Sequence, residues 1–399
     1  MKIVVIGGGA IGASCFYHLV ERGAADVMLV EQAGLASGST GRSAAVVETQ
    51  YLDRDRIALC AWSMRLFQRL EREHGLPFVH HGYLRLGHTA EDVLRFQRSV
   101  LIQREHGVTD AVALDPDEAA RRFPMLRLDD VSGALFGPSD GHVDPVRYCE
   151  LLVERGRAGG GQVLVGRRVA RLHLAGGRVA GVDVDDERIA CDAVVNAAGA
   201  WARRIGAMAG LGVPVDGYRR QLVVFEPPEP LRRPLPMVVD YTPGVEREGL
   251  YFRDDTARRL VAGLHWEIHG DWERPDDPEA FRTDPDWDYV ARVAELLGSR
   301  YREGGALRAT GGWAGLYPLT PDSLPIVGPT AVPGFHNAVG GGGVGLQLSP
   351  ALGAILADLL TRGRTDVLPD LTPYRLERFA TRPDAAREDA PDDAKETTG

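Results

Sequence analysis

The chain has 399 residues, 44% of them hydrophobic and 26% charged, with a formal net charge of −10. That is the composition of a globular protein long enough for two cores, and the acidic balance argues against nucleic acid as a main partner, because phosphate binding needs a basic face. The four cysteines, Cys15, Cys60, Cys149 and Cys191, form no C-x-x-C pair and are too sparse for a disulfide framework, so no metal site is expected and a reducing, cytoplasmic compartment is.

Lys2 followed by IVVIGGGAIGA imitates a signal peptide, but glycines interrupt its apolar stretch and an acid-ended strand follows at once, so the segment is expected to be mature protein. No run approaches 18 apolar residues, and no membrane span is expected. Ile3 to Ile6 has the pattern of a strand buried on both faces. Gly7, Gly9 and Gly12 then spell G-x-G-x-x-G: a tight turn, a close backbone approach to a diphosphate, and close packing of helix on strand. A helix is predicted from about Ile11 to Arg22, stopped by Gly23. Its free N–H groups and dipole favour an anionic diphosphate. DVMLVE is a second strand ending on Glu31, 19 residues beyond Gly12, where a carboxylate can take ribose hydroxyls and repel a 2′-phosphate. The order strand, glycines, helix, strand, acid makes a dinucleotide site. The motif alone does not separate NAD from FAD.

Later segments bear on that choice. GLASGSTGRSAAVVETQY is a small, polar, glycine-rich loop able to wrap a large cofactor, where a plain nicotinamide domain more often continues with helix and strand. DRDRIALCAWSMRLFQRLEREHG is predicted helical, with Ile57, Cys60, Met64, Phe67 and Leu70 on one face, Asp53 or Asp55 near its cap and Gly75 at its stop. Helices are also predicted after Thr89 and after Asp115-Pro116. RRVARLHLAGGRVAGVDVDDERIA reads as a three-stranded meander turning at Gly176-Gly177 and Asp185-Asp186. Ala193 to Asn196 is a buried strand whose Ala197, Ala198 and Gly199 let backbone come close to a ligand. GYLRL, QLVVF, PMVVD, LYFRD and RLVAGLHW are short strand candidates of an antiparallel sheet, separated by Gly, Pro and charge. Phe335 to Val339 is a strand running into Gly340 to Gly343. Ser349 is then expected to cap a helix with Pro350 at its first position; such a helix N-terminus can stabilise the anionic pyrimidine side of a reduced flavin. Residues 381–399 lack apolar content and are expected to fray.

VVIGGGAIGAS, GSTGRSAAVV, DGHVDP, VVNAAGAW, GLYPLTPDSLPIVGP and GGGGVGLQLSP occur in one order over nearly the whole chain. In these stretches the sequence resembles the D-amino-acid oxidase superfamily of FAD-dependent oxidoreductases, in its sarcosine oxidase and glycine oxidase branch. The resemblance implies an α/β fold: a discontinuous Rossmann-like FAD-binding domain over 1–80, 138–216 and 308–380, with an inserted antiparallel-sheet α+β substrate domain over 81–137 and 217–307. It places Gly7, Gly9, Ala10, Ile11, Gly12, Glu31, Gln32, Ser39, Thr40, Gly41, Arg42, Ser43, Val169, Ala198, Gly199, Trp201, Gly315, Gly342, Gly343, Gly345, Leu346 and Gln347 at the cofactor. Monomeric sarcosine oxidases attach FAD through a cysteine where Gly315 stands, so noncovalent FAD is expected. They also hold a lysine over the ring to assist oxygen; Val261 stands there, which leans toward a dehydrogenase using an acceptor other than oxygen.

Flavin oxidation of an amine asks the protein for anchors rather than a nucleophile. By resemblance, Tyr251, Tyr317 and His265 are substrate-site candidates. The branch's two carboxylate-binding arginines are missing, replaced by Tyr317 and Glu48. Glu48 would attract an ammonium, or pair with Arg42, Arg54 or Arg253. A carboxylate anchor then has to be Arg253 or another inward-pointing arginine of the sheet. The expected reaction is oxidation of the C–N bond of a small amine or amino acid (sarcosine, glycine, dimethylglycine, proline or a D-amino acid), giving an imine that hydrolyses. The alternatives are a hydroxy-acid or polyol flavin dehydrogenase, with His265 as base, and a flavin-bearing subunit or assembly factor needing a partner. Homo- and hetero-oligomers both remain open.

Overall fold

The pentapeptide Lys2–Ile6 is an inner strand of a six-stranded sheet, in the order Ile326–Pro329, Phe335–Val339, Ala193–Asn196, Lys2–Ile6, Asp26–Glu31, Gln162–Val165. All neighbours run parallel except Ile326–Pro329, an antiparallel edge. Both faces of such strands are covered, which is why they read as apolar runs rather than alternations. The chain leaves Lys2–Ile6 toward Asp26–Glu31 on one side and later returns as Ala193–Asn196 on the other. Ligands bind at such a switch point, beyond the carboxyl ends of the strands. The glycine loop at residues 7–9 sits there.

This computed structural model describes residues 1–241, 249–265 and 273–379. The chain divides into two units, one of Met1–Gly41, Pro145–Tyr218 and Leu316 onward, the other of Arg42–Asp144 and Arg219–Gly315. The sequence-based boundaries fall elsewhere, above all at the first break, near residue 80 rather than 41. Val46–Val47 pairs with Gly141–Val143, and the helix Arg54–His74 packs on the helix Ala90–Glu105, so both belong to the second unit. The partner strand Gly141–Val143 lies far along the chain, beyond the reach of local pattern. The expected fraying tail 381–399 and Trp266 of RLVAGLHW lie outside the described residues.

In the first unit, the helix Ala10–Glu21 packs against Gly345–Arg362. A Cβ on Gly353 would lie 2.3 Å from Ser14 Oγ and 2.9 Å from Cys15 N, so the crossing requires glycine. Among the described residues, the helix ending at Arg362 is long and apolar enough to cross a membrane; here Leu346 to Asp358 are all buried in the unit as core. The meander is present as Val169–Ala175, Arg178–Val184 and Glu187–Ala190.

The last helix corrects one expectation. Ser349 does not cap it and Pro350 does not start it: the helix begins at Gly345, and both residues lie inside. Pro350 has no N–H to give the Leu346 carbonyl. The Ser349 hydroxyl takes that carbonyl instead, at 2.7 Å, and lies 2.9 Å from the Tyr148 phenol. The serine therefore repairs the proline's missing bond, and the helix extends a turn further toward the glycine loop.

The second unit is built on an eight-stranded sheet in the order Arg308–Leu319, Asp216–Glu226, Arg259–Leu264, Gly249–Thr256, Met237–Tyr241, Tyr83–Gly87, Gly133–Gly137, Val112–Leu114. It is not uniformly antiparallel, since Met237–Tyr241 and Tyr83–Gly87 run parallel. Its strands alternate strictly. Leu84, Leu86, Val223, Phe225, Val238, Phe252, Leu260, Ala262 and Leu264 turn to one face and form a core with Val293 and Leu297 of the helix Trp287–Arg300. The opposite face carries Tyr83, Arg85, Tyr241, Tyr251, Arg253 and Gly263, which share the other parity of the same strands. The helices expected after Asp53, Thr89 and Asp115 are present, each with that residue as its cap.

Candidate functional site

Two sets of residues have the chemistry of a site, one in each unit.

In the first unit, Gly7 has φ +112°, and a Cβ there would lie 2.5 Å from the Ala197 carbonyl oxygen. The turn is thus wedged against the turn that follows Ala193–Asn196. Gly9 caps the helix Ala10–Glu21 with ordinary extended backbone, φ −78° and ψ −177°. A Cβ on Gly9 would meet only the Thr40 hydroxyl, at 3.2 Å, so the space in front of the helix is left to a ligand. The Thr40 Oγ1 already accepts the Ala10 N–H at 3.1 Å, at the place where an anionic oxygen would bind. Glu31 is buried and accepts from the Gly8 N–H at 2.6 Å and the Ala33 N–H at 2.8 Å. Its carboxylate braces the loop and keeps lone pairs for ribose hydroxyls.

A second helix N-terminus lies beside the first. A Cβ on Gly341 would come 3.2 Å from Ile11 Cδ1, and one on Gly345 3.9 Å from the same atom. Neither helix carries an acid in its first turn, so both dipoles remain available to negative charge. Gly342 has φ +53°, and a Cβ on Gly343 would lie 2.6 Å from the Tyr317 ring, so that ring rests on the glycine main chain. Ala198 and Gly199, the latter at φ +53°, follow the inner strand, where Asn196 Oδ1 accepts the Ala198 N–H at 3.3 Å. These features fit a dinucleotide with an anionic middle: two helix N-termini without first-turn acids, positive-φ glycines and a ribose-side acid at the carboxyl ends of parallel strands.

The first unit thus brings together Gly7, Gly9, Ala10, Ile11, Gly12, Glu31 and Thr40, and separately Gly342, Gly343, Gly345, Leu346, Gln347 and Tyr317 around the last helix start. Gln32, Ser39 and Gly41 follow in the loop after Asp26–Glu31, and Trp201 comes within 3.8 Å of a Cβ built on Gly38. Val169 puts its side chain into the core with Val4, Met28 and Val30, so it offers main chain rather than side chain to a ligand. Arg42, Ser43 and Gly315 fall in the second unit. There a Cβ on Gly315 would lie 3.0 Å from Arg42 Cβ, a crowded place for the cysteine of covalent relatives.

In the second unit, the non-core face of the large sheet gathers aromatic and charged groups. Gly249 lies opposite Tyr241, and Gly263 opposite Tyr251. A Cβ on Gly249 would be 2.7 Å from the Tyr241 ring, and one on Gly263 2.6 Å from the Tyr251 hydroxyl, so both rings lie flat across glycine. His265 stacks on Tyr241, with ring centroids 5.6 Å apart, and lies tilted against Tyr251, 4.7 Å away. Its Nε2 is buried without a partner among the described residues. Burial, with the Arg85 and Arg220 charges, pushes its pKa down to about 3, so the ring is neutral at physiological pH.

Arg85, which sequence reasoning missed, sits on the same face. Its guanidinium lies 5.8 Å from the centre of the Tyr241 ring, and it forms no ion pair among the described residues. Its Nε is buried with no acceptor. Burial works against the charge, yet the Tyr83, Tyr241 and Glu48 groups around it outweigh that and hold the pKa above its usual value. Arg85 hydrogen-bonds Tyr83 and feels the Glu48 charge without forming an ion pair with it, which leaves a buried cation with one donor open to an anionic acceptor. The signal was in GYLRL: Arg85 shares the parity of Tyr83, with Leu84 and Leu86 facing the core.

Glu48, 4% exposed, enters from the segment whose Ala44 and Val46 cover this face. Its Oε2 accepts the Gln50 N–H at 2.8 Å. Burial pushes its pKa up, against the Arg85 charge and a hydrogen bond with Tyr51. The expected pairings with Arg54 and Arg253 do not occur: Arg54 bonds Glu105 at 2.6 Å, and Arg253 bonds Asp255 at 3.1 Å. Arg253 is not a carboxylate anchor either. Its guanidinium grips the Ala44 carbonyl at 3.1 and 2.9 Å and the Asp254 carbonyl at 2.8 Å. It thereby holds the turn next to Ala45, a non-glycine residue at φ +55°. Arg253→Met should orphan that carbonyl and Asp255, lowering the apparent Tm by roughly 5–10 °C in a thermal melt, with Arg253→Lys recovering only part. An unchanged Tm would remove Arg253 as the clamp of this loop.

Of the four catalytic candidates, Glu48, Tyr251 and His265 belong to this face and Tyr317 to the first unit. Val261 is also on the face, opposite Arg253.

A family model described as FAD dependent oxidoreductase matches residues 2–359. The chain is 30% identical over 390 residues to mouse mitochondrial sarcosine dehydrogenase, covering 95% of this chain and 41% of that protein. It is 30% identical over 397 residues to rat mitochondrial dimethylglycine dehydrogenase, covering 95% and 45%. It thus spans less than half the length of these two relatives. Among solved structures, L-proline dehydrogenase from P. horikoshii superposes with a TM-score of 0.85 at 28% identity, covering 95% of this chain and 97% of that one. Glycine oxidase from Geobacillus kaustophilus gives 0.76 at 23% identity over 94% and 98%, a likeness of fold.

Proposed function

The chain belongs to the FAD-dependent oxidoreductase family, and on that premise we propose that it oxidises the C–N bond of a small amine that carries a carboxylate. FAD, when bound, would accept the hydride from the C–H bond on the carbon attached to that nitrogen. Main chain at Gly9, Ala10 and Ile11, the Thr40 hydroxyl and Glu31 would hold its nucleotide half, and the loop Gly342–Gln347 its ring.

The observation that carries this reading is Arg85, a cation on the sheet's non-core face with no counter-ion among the described residues. Its guanidinium takes the carboxylate of the substrate as a two-point fork. Tyr241, Tyr251 and neutral His265 supply flat walls that exclude water around the amine. Glu48 faces the cationic end. The sarcosine and dimethylglycine dehydrogenases to which the chain is similar act, by their names, on N-methylated amino acids, and L-proline is a cyclic secondary amine with a carboxylate; all three have the charge pattern this face accommodates. Val261 in place of the lysine of oxidases supports an electron acceptor other than oxygen.

A hydroxy-acid substrate needs a base for its hydroxyl proton. His265, the group considered for that task, is held near pKa 3 and is a poor one. The test is anaerobic mixing with sarcosine, dimethylglycine, glycine, L-proline and D-alanine on one side and lactate, glycolate and glycerol 3-phosphate on the other. Bleaching of the flavin by an amino acid and by none of the hydroxy compounds is the expected result. Bleaching by a hydroxy acid alone would overturn the proposal, and bleaching by no compound would point to a subunit that needs a partner.

A further inference from the structure

An amino acid reaches the site as a zwitterion. Its nitrogen carries a proton with a pKa of about 10, so roughly one molecule in a thousand is neutral at pH 7. Only the neutral form has the lone pair that closes the C=N bond as hydride leaves carbon. A group on the protein must therefore take one proton, or the reaction waits for the rare neutral form.

The titratable groups around Glu48 are Tyr51, Arg56 and Cys60 from one side, Tyr83 and Arg85 from the strand beneath, and Asp140 from the turn behind. The phenols of Tyr51 and Tyr83 and the Cys60 thiol are pushed far up by burial and stay neutral. His265 is too weak a base. Asp140 is bonded by Gln50 at 2.8 Å and by Thr49 at 3.2 Å, with Gln103 completing the network through Thr49 at 3.1 Å. That network fixes the segment carrying Glu48. It needs Gly137, where a Cβ would lie 2.1 Å from Gln50 Nε2 and 2.2 Å from Asp140 Oδ2. Glu48 itself is held by the Gln50 main chain, forms no ion pair among the described residues, and shares its surroundings with Arg85.

From this juxtaposition we propose that Glu48 is the proton acceptor for the substrate's ammonium while Arg85 holds its carboxylate. The inference rests on the amine reading above. The ammonium N–H bond breaks, a carboxyl O–H bond forms on Glu48, and the nitrogen keeps the electron pair. That pair would then close the C=N bond as the hydrogen on carbon leaves with its two electrons, for which FAD, when bound, would be the acceptor. Water adds to the iminium to give the carbonyl compound and the amine, and Glu48 returns its proton to solvent. Burial raises the carboxyl toward the pH at which it must work, as a general base requires.

The test uses the FAD-loaded protein and Glu48→Gln, which keeps shape and removes basicity. Flavin reduction by the best amino-acid substrate, followed anaerobically, should fall by roughly 10²- to 10³-fold at pH 7 and climb about tenfold per pH unit toward pH 10, where the wild type is flat. Glu48→Asp should restore part of the rate at pH 7. Without turnover, the wild type should bind α-aminoisobutyrate roughly tenfold tighter than isobutyrate, and Glu48→Gln should bind the two alike. A loss that is equal at every pH, no loss at all, or an unchanged binding preference would overturn the role of Glu48. A wild type that no amino acid reduces would instead remove the function on which the inference stands.

Discussion

Arg85→Met is expected to lower kcat/KM for a carboxylate-bearing amine by roughly 30- to 3,000-fold, the equivalent of truncating one partner of a desolvated, hydrogen-bonded charge pair. Methionine keeps much of the arginine stem, so the Tyr241 ring retains its neighbour. The loss should be specific to the carboxylate. The corresponding amine without one, poor in the wild type, should react with the variant within about threefold of its wild-type rate, because it never used the guanidinium. Arg85→Lys should recover only a small part: an ammonium is a point charge, and the carboxylate wants a planar fork. Fold is checked by circular dichroism and flavin content, neither of which should change, since Arg85 makes no ion pair among the described residues. Equal losses on both amines would mean that Arg85 supports the architecture of the face rather than the substrate.

The second large effect separates two glycines of one motif. A Cβ on Gly12 would lie 1.9 Å from the Gly7 carbonyl oxygen and 2.9 Å from its carbon. Gly7 cannot retreat, because its own position is set against the Ala197 carbonyl, 2.5 Å from where a Cβ would be. Gly12→Ala should therefore yield little folded protein, the helix being driven off its strand. Gly9→Val is different. Its backbone suits any L residue, and the nearest obstacle is the Thr40 hydroxyl. The variant should fold with wild-type circular dichroism and lose FAD, with Kd weakened by roughly 10²-fold or more, because the side chain fills the diphosphate's place. Fluorescence titration of the apoprotein with FAD measures this directly. A Gly9→Val protein with normal flavin content would contradict the assignment of the loop.

How much of this was legible depends on how local the cause is. Ala193–Asn196 and Phe335–Val339 are read directly, because a short β-prone stretch running into small residues or glycine at its carboxyl end has few other uses. Asp53 and Gly75 delimit their helix for equally local reasons: the Asp53 carboxylate accepts the Arg56 N–H at 2.7 Å, and Gly75 adopts the left-handed conformation. The last helix start was misread because Ser-Pro is a strong local signal, and only the turn preceding it shows that the Ser349 hydroxyl serves the Leu346 carbonyl instead. The site face was half legible. Resemblance pointed to Tyr251, His265 and Glu48, but not to what they do, since their environment comes from strands distant in sequence. Arg253 looked available and is committed to the Ala44 carbonyl. Arg85 was not singled out within GYLRL. Counting parity along GYLRL would have placed it beside Tyr83 on the face away from Leu84 and Leu86. Its lack of a counter-ion depends on what surrounds it, and only the folded structure displays that.

The most direct measurement compares matched pairs on the wild-type protein: sarcosine against dimethylamine, dimethylglycine against trimethylamine, L-proline against pyrrolidine. Each pair offers the same amine with and without a carboxylate. The account predicts that at least one amino acid bleaches the flavin anaerobically in a saturable way, and that its decarboxylated partner does so at least roughly 30-fold more slowly at equal concentration. Equal rates within a pair would contradict it, because they would leave the unpaired guanidinium of Arg85 with no part in choosing the substrate.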